Sequence, residues 1–394
     1  MTPLTAVASP LHLLAICPYY PPHTGGLERY AEELHEHLSR RGHRITVLTT
    51  DIPPAAAPPV TTPPAVTVHR LPARELIYNY PWPRLTPSSR RIFRAVLTAR
   101  YDAVMSTTRF FVTSPAAGML ARKRRIPWLH IEHGSDYVTS SNPAIRLAAR
   151  VYDETVGRQV LRHAGAIIAP SQSAADFVRR LTGRTVPIVY RGLPLDWLET
   201  ITPAPRPTPP GICHLVYAGR FITGKGLPDL LQAVSRLPSQ SLHLTLAGSG
   251  NQEASLKRRV TDLNLEKSVT FTGSLSPAAS IALVKSADIV VNPSYNEGLP
   301  TLVLEAAACG RAVIATAVGG TPEIVTDGSS AVLVPAGNIN QLSAAIAALT
   351  EDPARRRRLG ETAADFVRRK FNWDSAAAEY EQILWQLMKT SHAA

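Results

Sequence analysis

Residues 213–236 read CHLVYAGRFITGKGLPDLLQAVSR, and their order of apolar run, glycine-rich turn and apolar stripe decides the fold. Cys213–Ala218 is continuous and short, the pattern of a strand buried on both faces. Leu227–Arg236 carries apolar residues at helical spacing. Between them Gly219, Gly224 and Gly226 mark a turn. The same unit recurs downstream. Strands are predicted at Leu242–Ala247, Val269–Thr272, Ile289–Asn292, Ala312–Ala315 and Ala331–Val334. Helices are predicted at Glu253–Leu263, Pro277–Ser286, Thr301–Cys309 and Gln341–Leu349. Such alternation predicts a parallel sheet covered on both faces, with ligands held at the carboxyl ends of its strands.

The upstream half shows the alternation less cleanly. Strands fit at Leu11–Cys17, Ile45–Thr50, Val66–Leu71, Ala103–Ser106, Trp128–Glu132, Ala166–Ala169 and Val186–Tyr190. Leu27, Tyr30, Ala31, Leu34 and Leu38 form the stripe of an amphipathic helix over Leu27–Arg41. Residues 194–211, PLDWLETITPAPRPTPPG, hold six prolines, which predicts an extended linker. The proline-dense stretch Pro53–Pro64 is expected as a loop. The fold class is therefore α/β, with two Rossmann-like, doubly wound parallel-sheet domains facing a central cleft. The first domain is assigned to 1–193 and the second to 212–372.

Composition narrows the function classes. In 394 residues, 45% are hydrophobic and 18% charged, which excludes global disorder. The three cysteines, Cys17, Cys213 and Cys309, are too scattered for a disulfide framework or a metal cluster, so a reducing, cytoplasmic compartment is expected. No run of about 18 apolar residues is present to span a bilayer. No Lys or Arg precedes Arg29, so Leu11–Cys17 reads as a buried strand rather than a signal segment. Residues 1–194 carry 24 Lys and Arg against 12 Asp and Glu, while the remainder balances at 18 each. Much of the excess lies in Arg84, Arg90, Arg91 and Arg94 and in Arg122, Lys123, Arg124 and Arg125. This field suits an anionic surface, and a peripheral position at the inner face of the cytoplasmic membrane is one expectation. A merely solubilising arginine surface is the other. Aromatic residues do not interleave with the basic ones, so no nucleic-acid partner is expected.

The loop after Cys213–Ala218 scans as G-x4-G-K, close to a P-loop. Gly226 stands where the magnesium-binding Ser or Thr belongs. Arg220 and Lys225 remain as phosphate-binding cations, each contact worth about 1.5–3 kcal/mol. Gly248 and Gly250 lack the third glycine of a dinucleotide fingerprint. Residues 292–310 hold Glu297 and Glu305 around a predicted helix start at Pro300. Gly298 permits close approach, and the amides of Gly298, Leu299 and Thr301 are expected to face an anion. A carboxylate on each side of that start can bracket a nucleotide-sugar; Glu305 as a capping or surface residue is the plainer alternative. Val318-Gly-Gly-Thr-Pro-Glu323 offers further glycine amides. Gly25 and Gly26 open a helix after the first strand. His133 ends another strand at the same edge, where a structural histidine is the alternative.

Together the segments PPHTGGLERYAEEL, EHGSD, AGRFITGKG, FTGSL and NEGLPTLVLEAAACGRAVIATAVGGTPEIV resemble the family-4 retaining glycosyltransferases of the GT-B fold. The resemblance runs from about Leu11 to Glu381, and E-x7-E beside GR…KG is its specific part. It implies that Arg220 and Lys225 hold the donor diphosphate and Glu305 the ribose. Glu297 would contact the donor sugar, with Gly298, Leu299, Pro300 and Thr301 on sugar or phosphate. Gly25 and Gly26 would sit near the donor phosphate and acceptor, His133 near the reacting carbon, and Gly273, within Phe271–Leu275, beside the base. It further implies a C-terminal helix, residues 373–394, crossing back to the first domain. The expected reaction moves a hexosyl unit from a nucleoside-diphosphate sugar to a hydroxyl of a glycan or lipid-linked acceptor in cell-envelope synthesis. No metal and no cofactor beyond the co-substrate is expected. Rival readings are an epimerase or hydrolase on the same fold, a P-loop ATPase or kinase, and a non-enzymatic basic binder.

Overall fold

The computed structural model describes residues 9–23, 25–52, 63–77, 80–137, 142–209 and 211–392. Most of the proline-dense 53–64 segment and part of the 134–145 loop lie outside these residues. Two sheets form the frame. The first contains β1 (His12–Ile16), β2 (Arg44–Asp51), β3 (Val66–Ile77), β4 (Tyr80–Pro83), β5 (Ala103–Thr107), β6 (Trp128–Ile131) and β7 (Ala166–Ile168), in the order β4-β3-β2-β1-β5-β6-β7. All neighbours run parallel except β4, which turns back antiparallel on β3. The second contains β8 (Cys213–Ala218), β9 (Leu242–Ala247), β10 (Val269–Gly273), β11 (Ile289–Asn292), β12 (Ala312–Thr316) and β13 (Val332–Val334), in the order β10-β9-β8-β11-β12-β13 and parallel throughout. Strand order reverses between β1 and β5 in one sheet and between β8 and β11 in the other, which is where such sheets open a ligand crevice.

Alternation along each strand sets the layers. Leu13 and Ala15 of β1 pack with Leu34 and Leu38 of the helix Gly26–Arg40. Leu14 and Ile16 point the other way, toward the helices Pro87–Thr98, Thr113–Arg124, Arg158–His163 and Gln172–Thr182. The second sheet has one continuous core, including Leu215, Leu244, Val290 and Ile314. Each such fully buried aliphatic side chain contributes roughly 1.5–3 kcal/mol of burial.

Three expectations need correction. Val186–Tyr190 is no strand; its only ladder contact is the single bridge from Ala169 to Ile188. The 194–211 segment is not extended throughout, because Leu195–Thr200 is a short helix. Its prolines sit at Pro194 and from Pro203 onward, leaving the interval free to coil. Pro300 stands just before the helix Thr301–Ala308 rather than inside its first turn.

The chain passes between the lobes twice, side by side. Leu193 N donates to the Phe371 carbonyl at 3.1 Å, and a Cβ on Gly192 would collide with the Trp373 backbone. Phe371 belongs to the second core, but Trp373, Tyr380, Leu384 and Leu387 belong to the first. The helix Trp373–His392 therefore docks on the first lobe, where Tyr380 and Tyr30 share a hydroxyl–hydroxyl hydrogen bond.

Candidate active site between the lobes

The loops leaving β1 and β8, one on each side of the crevice, carry the glycines read from sequence. After β8, Gly226 adopts φ +66° and lies so close to the Pro293 carbonyl that any Cβ would clash. The Tyr295 amide donates to the Gly224 carbonyl at 2.8 Å, pressing the loop further against the segment after β11. The position where a P-loop keeps its magnesium-binding hydroxyl is thus closed to any side chain. Gly248 and Gly250 have a similar packing reason, for each abuts a carbonyl of the 219–221 turn.

This tight loop delivers its two cations differently. Lys225 Nζ lies 2.7 Å from Glu297 Oε1. The same oxygen accepts from Ser294 Oγ at 2.6 Å and Asn292 Nδ2 at 3.4 Å, so three donors hold the carboxylate in place. The Arg220 side chain is exposed and forms no hydrogen bond or ion pair among the described residues. It is close enough to Tyr19, in the loop after β1, to act on its hydroxyl electrostatically.

Across the crevice the helices Gly26–Arg40 and Thr301–Ala308 meet at their N-termini. A Cβ on Gly26 would stand 3.3 Å from Thr301 Oγ1. Neither helix has a side-chain cap, since Gly25 and Pro300 precede them. Thr86, Ser276, Asn338 and Asp352 cap helices elsewhere, while Thr113–Arg124, Leu227–Val234 and Glu253–Asp262 also lack a side-chain cap. The N-terminus of Thr301–Ala308 leaves first-turn amides for an anion, whereas at the start of Gly26–Arg40 the Glu28 carboxylate lies over Gly25, 2.7 Å from His23 Nδ1. Gly298 fits under the His133 carbonyl, and its own carbonyl accepts from Gly320 at 2.9 Å. Gly273 ends β10 with φ +71° and open space above its Cα.

His133 is half-buried, with its ring edge on Tyr30 at a centroid distance of 4.5 Å. Its Nε2 is enclosed without a partner among the described residues. Burial pushes its pKa down to about 4, aided by His130 and Arg191 and opposed by Glu132, so the imidazole is neutral near pH 7. Below it, Glu132 takes the Gly134 amide at 2.6 Å and Arg109 at 2.9 Å, and Arg109 also reaches Asp153 at 3.0 Å. That buried set fixes the turn bearing His133.

Glu305 is neither a cap nor a surface residue. It is buried, and its Oε1 lies 2.6 Å from Nη1 of Arg29 on the opposite lobe. Arg29 Nε holds Glu33 at 2.9 Å, and Glu33 also accepts from Arg191 at 2.6 Å and Trp373 Nε1 at 3.0 Å. Arg191 in turn donates to Thr301 Oγ1 at 3.0 Å. Sequence reasoning missed Arg29, Glu33 and Arg191. The only signal for Arg29 was its place one turn inside the helix that Gly25 and Gly26 open. Further bridges join the lobes: Ser135 Oγ to Asn296 at 3.1 Å, and the Glu323 carboxylate to the Gln172 amide at 2.7 Å and the Tyr190 hydroxyl at 3.0 Å.

Comparison with known proteins settles the family. Residues 25–193 match the glycosyl transferase 4-like domain, and residues 209–366 match the glycosyl transferases group 1. An uncharacterized glycosyltransferase of Methanocaldococcus jannaschii is 30% identical over 382 residues, covering 94% of this chain and 97% of that protein. The chain belongs to the group 1 glycosyltransferases.

This glycosyltransferase is also 30% identical, over 86% of its length and 85% of the relative's, to the D-inositol 3-phosphate glycosyltransferase of Pseudarthrobacter chlorophenolicus. Sucrose-phosphate synthase from Thermosynechococcus elongatus superposes with a TM-score of 0.80 at 27% identity, over 96% of this chain and 100% of that one. Anabaena HepE in complex with UDP-glucose shares the fold, with a TM-score of 0.72 at 18% identity over 95% and 100% of the two chains. The two facing parallel sheets are thus the GT-B architecture, and the activity is sugar transfer from a nucleotide-sugar.

Proposed function

We propose that this glycosyltransferase moves a hexosyl unit, with retention and without a metal ion, from a nucleoside-diphosphate sugar to an acceptor hydroxyl on a glycan or lipid-linked glycan of the cell envelope. The observation that supports the donor half is the placing of Lys225 against Glu297, Arg220 toward Tyr19 and the uncapped N-terminus of Thr301–Ala308 along the crevice. Breaking a sugar–phosphate bond leaves negative charge on the departing diphosphate. Fixed cations and amides stabilise it without reorganisation, and each such donor contributes about 3–4 kcal/mol in the transition state. Gly226, held against Pro293, supports a diphosphate site that relies on these groups.

The other residues take roles around that centre. Glu305 accepts from the ribose and Glu297 from the donor sugar, with Gly298 to Thr301 lining the sugar and phosphate. Neutral His133 offers its unpartnered Nε2 to a sugar hydroxyl beside the reacting carbon. Gly25 and Gly26 present bare backbone toward the diphosphate once the Glu28 carboxylate that lies over Gly25 moves aside, and Gly273 leaves room for the base. The bond from the anomeric carbon to the leaving phosphate oxygen breaks as the acceptor oxygen bonds on the same face. The departing phosphate oxygen receives the acceptor's proton, so retention requires no carboxylate nucleophile. The lobes are bridged through Ser135 and Glu323, and their closing around the donor would exclude water from this step.

A thermal-shift panel of UDP, GDP, ADP and their hexoses tests the reading. Selective stabilisation by one nucleotide family, retained in EDTA, is the expected result. No stabilisation by any of them contradicts it. Donor consumption only when an acceptor hydroxyl is supplied separates transfer from epimerisation or hydrolysis.

A further inference from the structure

The first lobe has two unlike helical faces. One is covered by Gly26–Arg40 and Trp373–His392 and forms the wall toward the crevice and its hinge. The other carries Pro87–Thr98, Thr113–Arg124 and Arg158–His163, with Pro143–Tyr152 running into the last through the turn Asp153–Gly157, and both arginine clusters read from sequence lie on it. Arg84, Arg90, Arg91, Arg94, Arg122, Lys123, Arg124 and Arg125 are all exposed. The two clusters adjoin, because the Arg124 guanidinium donates to the Leu97 carbonyl.

The helix Pro143–Tyr152 departs from ordinary packing. Only Ala149 of its residues is buried. Ile145, Leu147 and Val151 are 39%, 66% and 54% exposed, and Leu147 and Val151 stand one turn apart on one face. Arg146 and Arg150 flank that face on one side, and the helix contains no acidic residue. Past a π-helical turn at Asp153–Gly157, Val156 is again exposed and lines a groove of about 630 Å³. That groove also takes in Met119, Ile126 and Trp128, with Arg122 and Arg125 among its polar residues. Met119 is 68% exposed. An apolar stripe with cations beside it and, among the described residues, no helix laid over it has the chemistry of a bilayer interface.

We propose that this face, centred on Leu147, Val151 and Met119, docks on an anionic phospholipid bilayer. The apolar side chains enter the headgroup boundary and the flanking arginines meet lipid phosphates. Charge decides for a bilayer over a protein partner. The whole net excess of +12 lies in residues 1–194, and this helical layer displays both of its clusters. The docking deepens the proposed function, since it rests on a lipid-linked acceptor. The same helix is joined to the crevice through Arg150, whose guanidinium lies 5.0 Å from the Tyr137 ring, just beyond the turn that bears His133. Docking through that helix would bring the segment after His133 close to the bilayer.

The test is co-sedimentation with vesicles of 70% phosphatidylcholine and 30% phosphatidylglycerol, against pure phosphatidylcholine. The full chain is expected to pellet with the anionic vesicles only, and less so in 0.5 M salt. The double variant Leu147→Glu and Val151→Glu should weaken binding roughly a hundredfold or more. Arg122→Gln and Arg125→Gln should each weaken it about fivefold. Both helix positions are solvent-exposed, so the double variant should keep its melting temperature and its stabilisation by nucleoside diphosphate. Absent or lipid-independent sedimentation, or undiminished binding by the double variant, overturns the proposal. So does a dimer in vesicle-free solution that the double variant abolishes, because a second copy would then cover the stripe. Loss of the nucleotide shift in the wild type would instead strike the donor site and leave the docking result standing.

Discussion

Arg29 Nη1 lies 2.6 Å from Glu305 Oε1, an ion pair joining residues 276 positions apart across the two lobes. The carboxylate assigned to the ribose is therefore set by a guanidinium of the opposite lobe. Burial raises the Glu305 pKa, while Arg29 and Arg191 oppose that rise and Glu33 adds to it. Ribose hydroxyls donate best to the ionised form. Arg29→Gln should raise the donor KM by about tenfold to a hundredfold, the scale of a charged hydrogen bond. Its donor KM should fall as pH rises, because Glu305 then ionises without help. Glu305→Gln should raise KM similarly but without that pH dependence. Steady-state kinetics against pH read both, and an unchanged KM in Glu305→Gln would remove the ribose role.

His133 tests the electrostatics of the crevice in another way. With a pKa near 4, it stays neutral from about pH 5 to 8 and loses that form only in more acid solution. The profile of kcat/KM should show no limb from this histidine near pH 6.5. His133→Ala should cut kcat while leaving the flat region flat. A limb near pH 6.5 that disappears in the variant would show a charged imidazole at work.

Gly226 separates this loop from a P-loop by shape. Its φ of +66° and its contact with the Pro293 carbonyl leave no room for a side chain. Gly226→Ser should cost about 2 kcal/mol or more of stability and weaken nucleotide binding. It should gain no magnesium dependence, as melting curves with and without magnesium would show. A stable, magnesium-activated variant would contradict the packing argument.

The second lobe was legible because its strands are buried on both faces. Cys213–Ala218, Leu242–Ala247 and Ile289–Asn292 form with the bounds their apolar runs imply, and Pro277–Ser286 begins at a proline after a capping serine. The first lobe hid more. Tyr80–Pro83 pairs as an edge strand despite two prolines, which edges tolerate. Val186–Tyr190 has strand composition, yet it meets the sheet at a single bridge. At the site, local spacing put Lys225 and Glu297 on two loops that the fold joins in an ion pair, with Gly298 next to the second. Arg29, Glu33 and Arg191 escaped because their roles arise only when the chain crosses between lobes. No local period encodes a contact from Arg191 to Thr301. The outward stripe of Pro143–Tyr152 escaped for a related reason, since periodicity shows an apolar face but not what covers it.

The central claim is that fixed cations of the chain, rather than a divalent ion, carry the leaving diphosphate. The direct measurement is the turnover of nucleotide-sugar donor in EDTA by the wild type and by folded Lys225→Ala and Arg220→Ala variants. The account predicts full wild-type turnover in EDTA and a loss of about a hundredfold or more in each variant. Turnover that collapses in EDTA and returns with magnesium, or variants that keep near wild-type rates, would contradict it.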